Sequence, residues 1–185
     1  MANFQVQIED MIGTESFNDT GFITQAIQDI GAEIVSLTPM KKLMKVAKTA
    51  AISDSGLNIA SKKILSVEKS DYSAKEILAT DKASGTLHYV PLIPTEDGDV
   101  SIDFESTTTE HFPKEAVHIL VLGAAAKCLQ QLMSLKNEKL QVYIQTDEDS
   151  ELAQAEMLEI QAIQAQITLL EGKYAKSLEA FLKST

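Results

Sequence analysis

Residues 111–135, HFPKEAVHILVLGAAAKCLQQLMSL, constrain the fold more than any other stretch. Pro113 can open a helix because the first turn leaves its N–H unpaired in any case. Glu115 suits the positive end of the helix dipole, and Phe112 can act as a hydrophobic staple. Val117, Leu120, Val121, Ala124, Cys128, Leu132 and Leu135 recur at helical spacing, and Ile119, Leu122, Ala125, Ala126, Leu129 and Met133 fill the remaining sides. A helix apolar nearly all round must be covered by other elements. Gly123, followed by three alanines, would let a neighbouring backbone come close. These are packing residues.

The helices on either side follow the same logic. Phe4, Ile8, Met11 and Ile12 predict a short amphipathic helix closed by Gly13. Asn18, Asp19 or Thr20 can cap a second, with Phe22, Ile23, Ala26, Ile27, Ile30 and Ile34 as its stripe, broken at Thr38-Pro39. Met40, Leu43, Met44 and Ala47 predict a brief third, its methionines in the core and Lys41, Lys42, Lys45 and Lys48 on its solvent side. From Ser53 the period changes. Residues 58–69 and 86–93 read as strands, and Glu96-Asp97-Gly98-Asp99 as a hairpin turn. Val100, Ile102 and Phe104 then alternate with Asp99, Ser101, Asp103 and Glu105, the pattern of a sheet wet on one face. A polar hinge, QTDED at 145–149, precedes a final helix of about 33 residues, ~50 Å long at ~1.5 Å per residue. Met157, Ile160, Ile163, Ile167, Leu170, Tyr174 and Phe181 form its apolar stripe. That length exceeds what the rest of the chain is expected to cover, so part of the helix is expected to pack on another subunit.

The fold class expected is α+β, mainly α: one domain, with helical core segments 1–52 and 111–146, a β-rich insertion at 53–110, and a C-terminal amphipathic helix over 147–185. The first ten residues hold no basic or apolar run, and the longest apolar run, 119–126, is too short to span a membrane. The single cysteine, Cys128, can form no internal disulfide and reads as a small buried hydrophobe in a chain made in the cytoplasm.

Charge excludes some functions. All 16 basic residues are lysine against 27 acids, for a net charge of −11. Residues 86–110 hold six acids and no lysine. Such a surface repels a phosphate backbone, and no arginine fork is available to read bases. DNA would slide past without being gripped. Among candidate chemical groups, His88, His111 and His118 have no HExxH or flanking carboxylate pattern and read as structural. The acids at 96–103 lack the ligand spacing of a calcium loop, because Gly98 falls third from Glu96. The chain has no GxSxG elbow, SxxK pair or glycine-rich phosphate loop. Neither a cofactor, a metal nor an enzymatic activity is expected.

The succession of a short helical bundle, SKKILSVEKSDYSAKEIL, TLHYVPLIP, an acidic hairpin, FPKEAVHILVLGAAAKCLQ and a closing amphipathic helix resembles virion structural proteins of tailed bacteriophages. It is similar to the head–tail connector adaptors among them, over nearly the whole chain. The final helix is longer than a minimal adaptor requires, and the absence of arginine is unusual for the group. The resemblance implies a twelve-subunit ring in the virion neck that extends the portal channel, contacts portal and tail proteins, and lets DNA through. A tail terminator or another neck ring is the nearest alternative. A soluble binding or regulatory module that uses its last helix is the alternative of a different class. Head-to-tail contacts need two different complementary patches on each subunit. Lys41, Lys42, Lys45 and Lys48 are one expected patch, opposite Asp99, Asp103 and Glu105, whose acidic face would otherwise line the lumen. Ile160, Ile163, Ile167, Leu170, Tyr174 and Phe181 are the expected contacts of the final helix.

Overall fold

A computed structural model describes residues 4–13, 20–51, 62–68, 86–91, 112–146 and 150–184. Helix α1 spans Phe4–Ile12 and buries Ile8 and Ile12 one turn apart. Gly13 ends it with a positive φ of 69°, and its N–H reaches back to the Glu9 carbonyl at 2.9 Å. That left-handed cap is open to glycine without steric cost. Helix α2, Thr20–Leu37, buries Ile23, Ala26, Ile27, Ile30, Ile34 and Val35. It stops at Thr38, a buried polar residue whose backbone N–H (2.9 Å) and Oγ1 (2.6 Å) both donate to the Ile34 carbonyl. Pro39 then prevents continuation.

Helix α3 is a single turn, Met40–Leu43, and only Leu43 of its residues is buried. Met40 and Met44 are 54% and 43% exposed, contrary to the core role expected of them. The helix also ends too early to carry Lys48. Hydrogen bonds from Lys45 N to Lys42 O and from Val46 N to Leu43 O tighten the chain into a turn. Strand β1, Lys48–Ala51, follows directly. Nothing local favours that strand; pairing with a distant partner does.

The partner is the centre of a three-stranded antiparallel sheet ordered β1-β3-β2, in which β2 is Lys62–Glu68 and β3 is Thr86–Pro91. Lys48 pairs with Tyr89 and Ala51 with Thr86 on one side of β3; Lys63 pairs with Val90 and Val67 with Leu87 on the other. Between Ile64 and Ser66 the register slips by one residue, a bulge at the buried Leu65. Leu87 and Tyr89 are buried on one face of β3 and Val90 on the other. The central strand therefore buries side chains on both faces. The hairpin expected over 96–105 lies outside the described residues.

Phe112 and Pro113, both buried, and a 3₁₀ turn over Lys114–Ala116 lead into helix α4, Val117–Thr146, of 30 residues. Helix α5, Ser150–Lys183, has 34 residues, and its start and length match the sequence-based expectation closely. The two run antiparallel, because Gln130 Nε2 donates to Glu171 at 2.7 Å while Lys136 bonds to Glu156 at 3.0 Å. The architecture is α+β and mainly α. Helices α1, α2, the first half of α4 and the second half of α5 form a bundle around one core; Leu65 and Val90 join it from the sheet.

The residues from Lys114 to Ile144 are long and apolar enough to cross a membrane, but 61% of the qualifying window is buried inside the protein. Leu120, Val121, Ala124, Ala125, Cys128 and Leu129 are each 0–1% exposed. Fully burying one leucine contributes about 1.5–3 kcal/mol, so this stretch is the energetic centre of the fold. A Cβ on Gly123 would come within 2.8 Å of Ile30 Cγ2 and 2.9 Å of the Tyr174 ring. Helices α2 and α5 close on α4 at this glycine.

Candidate interaction surfaces

The α4–α5 seam changes character along its length. Through the bundle its α5 side is Ile163, Ile167, Leu170, Leu178 and Phe181, all buried. These residues, with the half-buried Tyr174, face the chain's own core. The expectation that they hold a neighbouring subunit is corrected accordingly: α4 runs far enough to cover them, and Gln166 Nε2 of α5 also donates to the Met11 carbonyl at the end of α1. Burial lifts the Tyr174 phenol above its ordinary range, and the charge of Glu33 adds to the effect. Ile160, half-buried, marks where the bundle ends.

Beyond it none of the core residues of α1, α2 or the described strands lies against the hairpin. Spacing along α5 alternates three and four (Leu170, Ile167, Ile163, Ile160), so the next inward position is 156, not 157. Glu156 is buried there at 6% exposure, and Met157 points outward at 48%. The apolar stripe expected to include Met157 is thus rotated by one residue. Across the seam, Lys136 and Lys139 meet Glu156 at 3.0 and 3.5 Å, and Lys136 also pairs with Glu159. Burial pushes the Glu156 carboxyl up, but Lys136 and Lys139 outweigh it and hold the group below the usual carboxylate range. The hydrogen bond to Glu159 raises the Lys136 ammonium, with burial opposing it. Lys139 also stands 5.5 Å from the centre of the Tyr143 ring.

Outside that polar seam lie large apolar side chains. Leu135, Val142 and Ile144 on α4 are 49%, 56% and 62% exposed, and Leu152 and Leu158 on α5 are 48% and 66% exposed. The projecting half of the hairpin therefore buries an ion pair, beside the half-buried Leu140 and Tyr143, and exposes several large apolar side chains. A single exposed leucine means little, but this concentration on one projecting element makes it a candidate contact surface. Sequence periodicity missed it because each residue, taken alone, also fits a core position.

At the opposite end of the bundle, α3 meets the last turn of α5. Lys42 Nζ donates to the Phe181 carbonyl and, at 2.8 Å, to Ser184 Oγ, and it stands 4.2 Å over the Phe181 ring. A cation on the final carbonyls of a helix satisfies both the orphan acceptors and the dipole. Lys42 is thus a structural cap and not the free interface lysine expected. Lys41 and Lys45 remain exposed. Lys48 belongs to β1, away from the helix assigned to it. Asp99, Asp103 and Glu105 lie outside the described residues.

His88 is on β3, His118 is on the exposed side of α4, His111 is not described, and Cys128 is fully buried as expected. Among the described residues no group of three or more His, Cys, Asp or Glu is placed to hold a metal ion. No protein-family model matches the chain, and no curated protein or solved structure is significantly similar to it.

Proposed function

We propose that this chain is a structural subunit of a tailed-bacteriophage neck, a head-to-tail connector adaptor whose ring extends the portal channel and receives the tail. One observation carries the reading: the projecting half of the α4–α5 hairpin turns Val142, Ile144, Leu152 and Leu158 to solvent while Lys136 and the buried Glu156 pair in its seam. A helical pair built this way is unfavourable in water as an isolated surface and favourable once neighbours cover it. The resemblance described above supplies the neck as the place for such contacts. The net charge of −11 fits a ring through which DNA passes without adhering.

The reading is tested by quantifying the chain in purified phage particles, where a fixed count of about a dozen copies is expected by likeness to adaptor rings. A different fixed count would move the protein to another ring of the neck or tail. Absence from particles, with a stable complex to one soluble partner, would favour the binding-module reading, which the same apolar surface also supports.

A further inference from the structure

On the strength of that ring reading, we propose that the cleft between α3 and the start of α4 receives the acidic segment 96–105 of a neighbouring copy. The cleft has a volume of about 310 Å³. Among the described residues, Lys42, Lys45 and Lys114 line it, against one acid, Glu115. Val46, Pro113 and Phe181 give it an apolar floor. Three cations against one anion reverse the balance of a chain with 27 acids and 16 lysines. Lys42 is held by the end of α5, whereas Lys45 and Lys114 are exposed and open to a ligand.

The ligand chemistry follows from this lining: carboxylates spaced along a backbone that also carries apolar side chains. Residues 99–105 read Asp-Val-Ser-Ile-Asp-Phe-Glu. Drawn out as a strand, they present Asp99, Asp103 and Glu105 on one side and Val100, Ile102 and Phe104 on the other. The acids match the lysine wall and the apolar residues match the floor. No lysine between 86 and 110 competes for those carboxylates. Cleft and segment are different surfaces of one chain, as a closed head-to-tail ring requires.

The test uses a fluorescent peptide of residues 95–109, titrated at low salt into two full-length proteins, the natural chain and Asp99→Lys/Asp103→Lys. Saturable binding to both, weakened on the order of tenfold by Lys45→Glu/Lys114→Glu at unchanged circular dichroism, is the expected result. A scrambled peptide of the same composition should bind more weakly. Three outcomes overturn the proposal: no binding to either protein, equal binding of the scrambled peptide, or binding only to Asp99→Lys/Asp103→Lys. The titration is run at a concentration where light scattering shows both proteins to be monomeric, so the last would mean that each chain fills its own cleft. Copy number in particles is independent of all three, so the docking proposal can fail while the ring reading stands.

Discussion

The bundle half and the projecting half of the α4–α5 hairpin are built differently. In the bundle, Leu129, Ile163, Ile167 and Leu170 fill the seam, and ionic residues such as Lys127 and Asp29 pair at 2.9 Å on the outside. In the projecting half, the Lys136–Glu156 ion pair takes a place in the seam beside the half-buried Leu140 and Tyr143, and Leu135, Val142, Leu152 and Leu158 face outward. The bundle is designed to hold its own shape. The projection places an ion pair in its seam and exposes several large apolar residues, and polar positions of this kind trade stability for specificity in coiled coils.

The sharpest way to break this comparison is to damage the bundle. Leu129→Ala removes a fully buried side chain and should cost about 2–5 kcal/mol, read as a lowered urea midpoint. Gly123→Ala should come next. Alanine is the better helix former, yet its Cβ would meet Ile30 and Tyr174 below 3.0 Å, so a net loss of about 1–3 kcal/mol is expected. A gain in stability instead would show that the two helices can move apart freely.

The projection should respond to pH. Because its neighbours hold the Glu156 carboxyl below its unfolded value of 4.5, its contribution is fully present above that value and fades as pH falls through the lower, folded value. Thermal melts followed from neutral to strongly acidic pH should therefore show a smaller acid-induced loss in Glu156→Gln than in the natural chain. Equal losses would show that Glu156 is not coupled to Lys136 and Lys139. The smallest effect on stability is expected outside the seam. Val142→Ser with Leu158→Ser should change unfolding free energy by within about 0.5 kcal/mol per site.

Much of the bundle was legible in the sequence because its stripes are uninterrupted: Ile8 and Ile12, Ile23 to Ile34, and residues 117–129 each repeat at helical spacing and are buried. The long last helix was legible from its acidic start and its alternating three-and-four spacing. Strand β1 was not, since Lys48-Thr49-Ala50-Ala51 has no period of its own and is fixed by pairing with β3. The buried ion pair of the projection was invisible for a related reason. An inward glutamate becomes affordable only when lysines on another helix stand opposite, and that partnership is a property of the hairpin, not of either segment. Lys42 was misplaced because its acceptors, Phe181 and Ser184, lie at the far end of the chain.

The most direct test of the outward apolar surface is incorporation into particles. On the neck reading proposed above, phage carrying Val142→Ser, Ile144→Ser, Leu152→Ser and Leu158→Ser together should yield particles nearly empty of this protein, although the purified variant melts close to the natural chain. Particles containing the variant at the natural copy number would contradict the account.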